Sequence, residues 1–570
     1  MNESSVASRR PQVVVVGAGP VGLSCALELG RAGITVQVLE VRTELSDQPR
    51  AHVVNARTME LFRSWGIGPQ VRADGLAPEL ATSFGWTTAM SADEFAALDY
   101  IDDETAEQYS PERLCSCAQD LVEQRLLTAV LAQPTVQVNF GTKVTGYRPD
   151  VDGAVLEVST FSGEHETIQA RYVVAADGAS STLRQLAGIG MERSTPLGRR
   201  VNIWFDADLR PWSRSRPFIL WFIHHVATQG IFIALDGAER WVYSVEMTAD
   251  EDLQDYTAER CTNLIRTAVG ASALQPRIRS IGAWTIDMGV AECFRRGPLF
   301  LVGDAAHSFP PMGGFGMNSG IQDAHNLAWK LAHVCTDRAG DSLLDTYDLE
   351  RRPVATFNAE QSMLNAGRQQ QAAAALTNPD TLALLAAPEG GALRSAAAAG
   401  ISELREEFHS LGQQFGHQYA SAAVVDDGTP IRHSTITEYH MSARPGARAP
   451  HARLRSSGGR RLSTIDLVTG RWTVLAAGER SAWTAAVRSA QARTGLALEA
   501  YFVDSAGLPT MDPECLLDDV APGYWRDLYE LDEGGGVLVR PDGHVGARWR
   551  SRPHDVEKEL IAAIDAILGR

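Results

Sequence analysis

The stretch VVVVGAGPVGLSCALELGRAGITVQVLE, residues 13–40, decides the fold. Val13 to Val16 is a β-branched apolar run, the type that forms a buried strand. It leads directly into Gly17-Ala18-Gly19-Pro20-Val21-Gly22, a G-x-G-x-x-G. An apolar helical segment follows from Val21 to Arg31. Gly33 punctuates it, and Ile34, Val36 and Val38 then alternate up to Glu40. Strand, glycine turn, helix, strand and terminal acid form a βαβ unit. Gly17 permits the tight turn, Gly19 lets a pyrophosphate approach the backbone, and Gly22 lets helix and strand pack closely. Glu40 stands where an acid would bind a ribose hydroxyl. Pro20 at the helix start and Val41 just past the acid belong to the same candidate dinucleotide site.

A second stretch, GPLFLVGDAAHSFPPMGGFGMNSGIQDAHNLAWKLA, covers residues 297–332. Leu299 to Val302 reads as a strand that Gly303-Asp304 closes. Pro310 and Pro311 stiffen a loop whose glycines, Gly313, Gly314 and Gly316, leave the backbone open to a flat ligand. A helix is expected after Asn318 or Ser319 as N-cap, with Ile321, Ala324, Ala328 and Leu331 on one face. Its free N–H groups and dipole favour an anion. A ligand with a polyol and a delocalised negative charge suits this arrangement, and reduced flavin is one.

Working outward, Pro49 to Phe62 reads PRAHVVNARTMELF. Thr58 to Trp65 is expected to be helical, with Arg50 and Arg57 near its start, where a cation is disfavoured unless an anion lies close. Residues 76–112 look irregular and acidic, an insertion or solvated lid. Gln119 opens an amphipathic helix to Leu131, its amide placed to face a cofactor. From Val136 to Val174 the period is two, a strand and then a β-meander containing Val144. Tyr172 to Ala176 is another buried strand, and it runs into Asp177-Gly178 and a helix start carrying Ser181 and Arg184, again suited to a phosphate-bearing ligand. Residues 200–290 are strand-rich and aromatic, with one helix at Ala258 to Val269. Trp221, Ile223 and Phe232 are the candidates there for a flat apolar pocket, together with Pro310 and Gly313 of the loop. His224 and His225 lie consecutively, so one faces each side of the sheet.

Residues 366–420 are Ala-rich and helical. From about Arg444 the pattern changes: strands at Ser463–Leu467 and Trp472–Leu475, a helix at 481–493, a strand at 498–504, a helix near 522–530, a hairpin around Pro541-Asp542-Gly543 and a final helix. This order is similar to a thioredoxin-like domain, but it has no C-x-x-C and Cys515 is its only thiol, which excludes dithiol chemistry.

The chain has 570 residues, 44% of them hydrophobic, and a net charge of -18. That supports a large core and several domains and argues against a nucleic-acid partner. Seven scattered Cys without a framework suit a reducing cytoplasm. The polar start MNESSVASRR lacks the apolar run of a signal peptide, and no run long enough to span a membrane occurs. No metal-ligand pattern is present. Lysine occurs only at Lys143, Lys330 and Lys558, which reads as the codon bias of a GC-rich genome.

The three motifs Gly17–Gly22, Asp177-Gly178 and Gly303-Asp304, in that order and with PRAHVVNARTMELF and GGFGMNSGIQDAHNLAWKLA, resemble the single-component class A flavin-dependent aromatic hydroxylases. The nearest branch is that of phenol, dichlorophenol and polyketide-tailoring hydroxylases. The resemblance implies an α/β fold: a Rossmann-like FAD-binding domain of the glutathione-reductase/p-hydroxybenzoate-hydroxylase type (10–75, 113–190 and 291–365). It also implies an inserted β-sheet substrate domain (76–112 and 191–290), a helical connector (366–440) and a thioredoxin-like C-terminal domain (441–570). Gly17, Gly19 and Gly22 would bind the FAD pyrophosphate with Arg50, and Glu40 the adenosine ribose. The Val144 backbone would border the adenine, Gln119 the ribityl chain and flavin, and Asp304 the ribityl chain. Asp177 would support FAD and the pyridine nucleotide. Gly314 to Asn318, including Gly316 and Met317, would face the flavin beside Pro311. A single G-x-G-x-x-G suits a family that binds NAD(P)H without a separate Rossmann domain.

The implied reaction is reduction of FAD by NAD(P)H, capture of O2 as a C4a-hydroperoxide, and hydroxylation of a bound phenol-like, polyketide or hydroxypyridine ring, in bacterial natural-product biosynthesis. His52, His224, His225 and Tyr243 are the candidates for handling the substrate proton. A Baeyer–Villiger or epoxidising monooxygenase on the same scaffold stays open, as does a non-catalytic flavin carrier. The Trp-x-Trp-x-Ile-Pro motif of flavin-dependent halogenases is absent. The expected partners are a small aromatic substrate, NAD(P)H and O2, with no nucleic acid or membrane, and a homo-oligomer through the C-terminal domain.

Overall fold

The computed structural model describes residues 10–99, 106–193, 196–374, 376, 378–456, 458–478, 480–504, 515–518 and 520–570. Part of the acidic stretch at Asp99 to Glu107 therefore lies outside the described residues. The βαβ unit forms as read: strand β1 (Val13–Val16), helix α1 (Pro20–Arg31) and strand β2 (Val36–Leu39). With β3 (Val136–Asn139), β4 (Tyr172–Ala175), β5 (Arg295–Arg296) and β6 (Leu299–Leu301) they build a six-stranded sheet in the order β3-β2-β1-β4-β6-β5. All pairs are parallel except β5 with β6. β1 and β4 are buried along their whole length, as central parallel strands covered by helices must be.

Four further helices carry the candidate site. They are α2 (Ala56–Trp65), α3 (Gln119–Leu131), α4 (Phe315–Cys335) and α5 (Ser342–Ala374). The α2 start is set by Asn55, whose side chain accepts the Thr58 N–H at 2.9 Å. Helix α3 has the bounds the periodicity gives. The expected meander is the three-stranded sheet Thr142–Asp150, Gly153–Thr160 and His165–Ala170.

A second sheet of seven strands runs Arg277–Ile286, Gly198–Asp206, Arg240–Met247, Thr228–Ala234, Phe218–His225, Ser83–Thr87 and Glu94–Asp99. The last two correct the reading of 76–112 as an irregular lid. Ser83–Thr87 pairs parallel with Phe218–His225, and Phe84, Trp86, Phe95 and Leu98 are buried. The helix Ala258–Val269, capped by Thr257 and closed by Gly270, packs its apolar face on one side of this sheet.

The C-terminal residues form a mixed seven-stranded sheet in the order Arg461–Ser463, Arg453–Ser456, Cys515–Asp518, Leu498–Asp504, Trp472–Ala477, Gly536–Val539 and Val545–Trp549. Ser463–Leu467 is not a strand as expected. Ser463 and Asp466 form a capping box that starts the short helix Thr464–Val468. No helix among the described residues is long and apolar enough to cross a membrane.

Candidate active site

The glycines of the first turn divide by cause. Gly17 has φ +108°, and a Cβ there would lie 2.2 Å from Ala176 O; a Cβ at Gly22 would lie 2.0 Å from Gly17 O. Both are required by the fold. Gly19 has open space where a Cβ would sit, so its backbone stays uncovered toward a ligand. Helix α1 begins there with no side-chain cap and no acid in its first turn, leaving N–H groups for an anion. Glu40 accepts the Ala18 N–H at 2.7 Å through Oε2, and the Arg42 N–H and Nε–H at 3.0 and 2.9 Å through Oε1. Burial alone would raise its pKa, but these bonds from Arg42 and Ala18 hold it below the usual range. Val41 beside it is exposed, and Val144 is buried in the meander.

Arg50 is exposed and makes no hydrogen bond or ion pair among the described residues. Asp304 is likewise solvent-facing with both oxygens unengaged among the described residues. Its pKa is raised by the protein packed around it, against the opposing pull of His307 and Arg50. An unpaired cation and an unpaired acid facing the same space suit a phosphate and a hydroxylated chain. Gln119 donates to Glu123 at 2.8 Å and accepts the Ala51 N–H, which ties α3 to the segment that carries Arg50.

Asp177 accepts from Ser181 Oγ at 2.5 Å and from the Leu183 N–H at 3.0 Å. It therefore shapes its own turn. Arg184, read as a phosphate ligand, is buried. It donates to Ala305 O at 2.8 Å and Ala179 O at 2.9 Å, bracing the Asp177 and Asp304 turns against each other.

Helix α4 starts at Phe315, earlier than read, because Gly314 adopts a left-handed N-cap at φ 69°. The Asn318 side chain therefore caps nothing. It accepts the Asn55 N–H at 3.0 Å and donates to Val53 O and Gly314 O at 2.9 and 2.7 Å. Only its backbone, with those of Gly314, Gly316 and Met317, remains for a flavin. Pro310 is buried and Pro311 exposed on the loop before, where Gly313 has φ +98°.

Arg57 is corrected: it is not a cofactor ligand. Its guanidinium donates to Glu60 at 2.8 Å and to Asp542 O at 2.9 Å, facing the C-terminal sheet. The sheet candidates are corrected by side. Trp221, Ile223, Phe232 and Tyr243 all point into the core shared with the helix Ala258–Val269, and Phe232 stacks on Tyr243 at 4.3 Å. The Tyr243 hydroxyl is tied to Thr228 at 2.8 Å, and burial raises its pKa. His225 accepts the Ala227 N–H and serves its hairpin turn.

The opposite face of the sheet turns toward the FAD-type half. Trp204, Ile233 and Val242 pack with Ala118 and Leu121 at the α3 start, and Arg240 pairs with Asp120 at 2.9 Å. On this face Leu220, Ile231 and Ile233 are half-buried, next to Phe222, Trp86 and Phe408. His224 lies on it too, with Nδ1 unpartnered among the described residues and its pKa lowered by burial to about 4. His52 is lowered similarly, and its Nδ1 lies 3.3 Å from Ser116 Oγ.

Two supports escaped the sequence reading. A Cβ on Gly320 would lie 2.6 Å from Val21 Cγ2 and 2.9 Å from Gly303 Cα, so this glycine lets α4 approach α1 and the Gly303 turn. Asp323, four residues before Leu327 on the buried side of α4, accepts from Gly303 N–H and Arg351 and contacts His307 Nε2 at 2.6 Å. It holds the turn that presents Asp304. Asp323 stands in the quoted motif, but only the fold shows what it holds.

Uncapped helix starts, an uncovered Gly19 and unpaired Arg50 and Asp304 fit FAD. Comparison with known proteins agrees. Residues 10–362 match the family model described as FAD binding domain, and residues 442–570 that described as Aromatic-ring hydroxylase, C-terminal. The chain is 35% identical over 557 residues to a putative polyketide hydroxylase of Streptomyces halstedii, covering 95% of this chain and 94% of that one. It is 32% identical to the tetracenomycin A2 monooxygenase-dioxygenase of Streptomyces glaucescens, with 98% and 97% covered. The crystal structure of the flavin-dependent monooxygenase PieE in complex with FAD and substrate superposes with a TM-score of 0.89 at 31% identity, covering 99% of both chains. An FAD-type sheet with its glycine turns intact, joined to a hydroxylase C-terminal module and matched end to end by such relatives, places this chain in the family of FAD-dependent aromatic-ring hydroxylases, as a flavoprotein monooxygenase.

Proposed function

We propose that the chain hydroxylates an electron-rich aromatic ring, phenol-like, polyketide or hydroxypyridine, with NAD(P)H and O2, in the cytoplasm of a bacterium making natural products. The observation that carries this reading is the half-buried apolar face of Leu220, Ile231 and Ile233, turned toward the FAD-binding half and continuous with Phe222 and Trp86. A planar aromatic molecule would complete its burial. Substrate, NAD(P)H, a proton and O2 would give hydroxylated substrate, NAD(P)+ and water. When bound, FAD would supply the redox chemistry that couples NAD(P)H oxidation to the use of O2.

The chain's own residues bind, orient and exclude water. Gly19 and the α1 start beside Pro20, on the turn that Gly17 and Gly22 make possible, would hold the pyrophosphate with Arg50. Glu40 and the Val41 backbone hold the ribose, since a carboxylate accepting three hydrogen bonds keeps a lone pair free. Val144 borders the adenine. Gln119 and Asp304 hold the ribityl chain, and Asp177 sets the turn beneath it. Pro311 and the backbones of Gly314, Gly316, Met317 and Asn318 line the flavin, while Pro310 and Gly313 shape the substrate side. His224 is the favoured hydrogen-bond acceptor for the substrate hydroxyl. It is neutral at pH 7, and its Nδ1 has no partner among the described residues.

The C-terminal module fits a thioredoxin-like arrangement without a dithiol. Parallel Trp472–Ala477 and Leu498–Asp504 flank a helix, and an antiparallel hairpin and final helix follow.

The test is NADPH- and NADH-dependent oxygen uptake by purified, flavin-loaded protein across phenols, hydroxypyridines and polycyclic quinols. Uptake stimulated by one ligand, with a product one oxygen atom heavier and the ring intact, is expected. A lactone or epoxide product would reassign the reaction. Tight FAD with no stimulated uptake on any ligand would favour a carrier.

A further inference from the structure

Helix α5 carries neutral polar side chains at Asn358, Gln361, Ser362, Asn365 and Gln369, all on one face by their spacing of three and four. The first four are buried. The row begins at the flavin side, where Asn358 Nδ2 donates to Ser319 Oγ at 3.0 Å in α4. It passes the loop, where a Cβ on Gly313 would lie 3.6 Å from Asn365 Nδ2. It ends at Gln369, whose Nε2 donates to Glu407 Oε1 at 2.7 Å. From Asn365 to Gln369 is one helical turn, about 6 Å along the axis.

Glu407 is 7% exposed, and its Oε2 has no partner among the described residues. The next residue, Phe408, stacks on Phe84 at 4.1 Å and meets Trp86 edge-on; Trp86 in turn stacks on Phe222. Glu407 thus stands where the end of α5 meets the aromatic part of the sheet face that looks on the site. The nearby cation does not compensate it, since Arg368 pairs with Glu406. A carboxyl in such surroundings keeps its proton, and burial pushes the Glu407 pKa up to about 8. At neutral pH its free oxygen is a hydrogen-bond donor or acceptor with nothing to bind. Ser362 Oγ and Gln413 Oε1 on the same side of α5 are also unpartnered among the described residues.

We propose that Glu407, with Gln369 and the α5 amide row leading to it, is a substrate subsite that binds a carbonyl oxygen on a ring distant from the one hydroxylated, and so selects fused multi-ring aromatic ketones over single-ring phenols. The subsite rests on the hydroxylase reading above and deepens it. A single ring held at the Gly313 loop would not extend to Glu407. A fused ketone would, and its carbonyl would accept a hydrogen bond from the protonated Glu407 carboxyl. The half-buried Leu220 and Ile231 beside the aromatic cluster, with neutral amides on α5, suit a flat molecule with oxygens along one edge.

The experiment titrates flavin-loaded protein with alizarin, a dihydroxyanthraquinone, and separately with phenol, reading the flavin absorbance change. It compares wild type, Glu407→Leu and Glu407→Gln. Glu407→Leu should weaken alizarin about tenfold, the loss of one buried hydrogen bond. Phenol affinity should stay within about twofold, and FAD content should be unchanged. Glu407→Gln keeps an N–H donor and should retain most of the alizarin affinity. Equal weakening of both ligands, unchanged alizarin affinity in Glu407→Leu, or wild type that does not bind alizarin would each overturn the subsite. The comparison needs no turnover. A failure of the hydroxylase reading shows separately, as NAD(P)H oxidation that no ligand stimulates.

Discussion

Asp304 and Arg50 act as single side chains facing outward, with no partner of their own among the described residues. Asp304→Ala should lower FAD retention about tenfold or more through lost hydrogen bonds to a polyol, measured as flavin-to-protein ratio after gel filtration. Full occupancy would count against the assigned role. Gly17→Ala should destabilise by about 3 kcal/mol or more, because φ +108° and the 2.2 Å approach to Ala176 O both oppose a Cβ. Urea denaturation of the FAD-free protein checks this apart from ligand binding. At this scale the sequence spoke clearly wherever a residue acts through its own backbone, as with Gly17 and Gly22. It misled wherever a partner lies far along the chain. Arg57 looked free for phosphate because Asp542, which it meets, is 485 residues away. Alternation gave two faces for Trp221, Ile223 and Phe232, but only the position of helix Ala258–Val269 shows which face is closed.

Among elements, α4 is the most constrained. Gly320→Ala should push it from Val21 and the Gly303 turn, costing about 1–3 kcal/mol and loosening FAD together. Melting temperatures with and without added FAD would show both losses; an unchanged pair would refute the close packing. Asn318→Ala should cost about 2–3 kcal/mol, since it strands the Asn55 N–H and two carbonyls. Ala258–Val269, with a Thr257 cap and a closing glycine, and Gln119–Leu131, uncapped but regular in its apolar spacing, were legible to the residue. Elements with short or broken alternation were not. Ser83–Thr87 lacks a clean period because it is buried along its whole length, and Glu94–Asp99 because its buried residues, Phe95, Ala96 and Leu98, do not alternate. Ser463–Leu467 reads as a strand, although Ser463 and Asp466 spell the capping box of the helix Thr464–Val468.

Across the whole molecule, the C-terminal module is fastened to the FAD-binding half by buried charges. Arg540 pairs with Glu350 at 2.6 Å and with Asp542, Lys330 with Glu350 at 2.7 Å, and Arg448 with Glu60. Arg540→Leu would leave two acids poorly compensated and should cost about 3–5 kcal/mol, read by denaturation and by faster proteolysis between the two parts. Acid should act on the same molecule in stages. His224, His451 and His544 are held near pKa 4 by burial, so the stability they contribute, complete above about pH 6.5, is lost as pH falls toward 4. Glu407, pushed up to about 8, opposes this: the penalty of its burial shrinks as pH falls toward 4.5. Below that, Glu60, Asp323 and Glu350 must take protons despite arginine partners that outweigh their burial and hold their pKa values down, so the loss steepens. Melting temperature against pH should fall between 6.5 and 4 and fall faster beyond, and a rise on acidification would contradict it. The same fastening bears on recombining tailoring enzymes. A chimera that grafts a relative's tail at residue 441 splits the Arg540–Glu350 and Arg448–Glu60 pairs and the Arg57 contact with Asp542, so it should fold only when positions 57, 60 and 350, with Lys330 beside Glu350, are exchanged along with the graft.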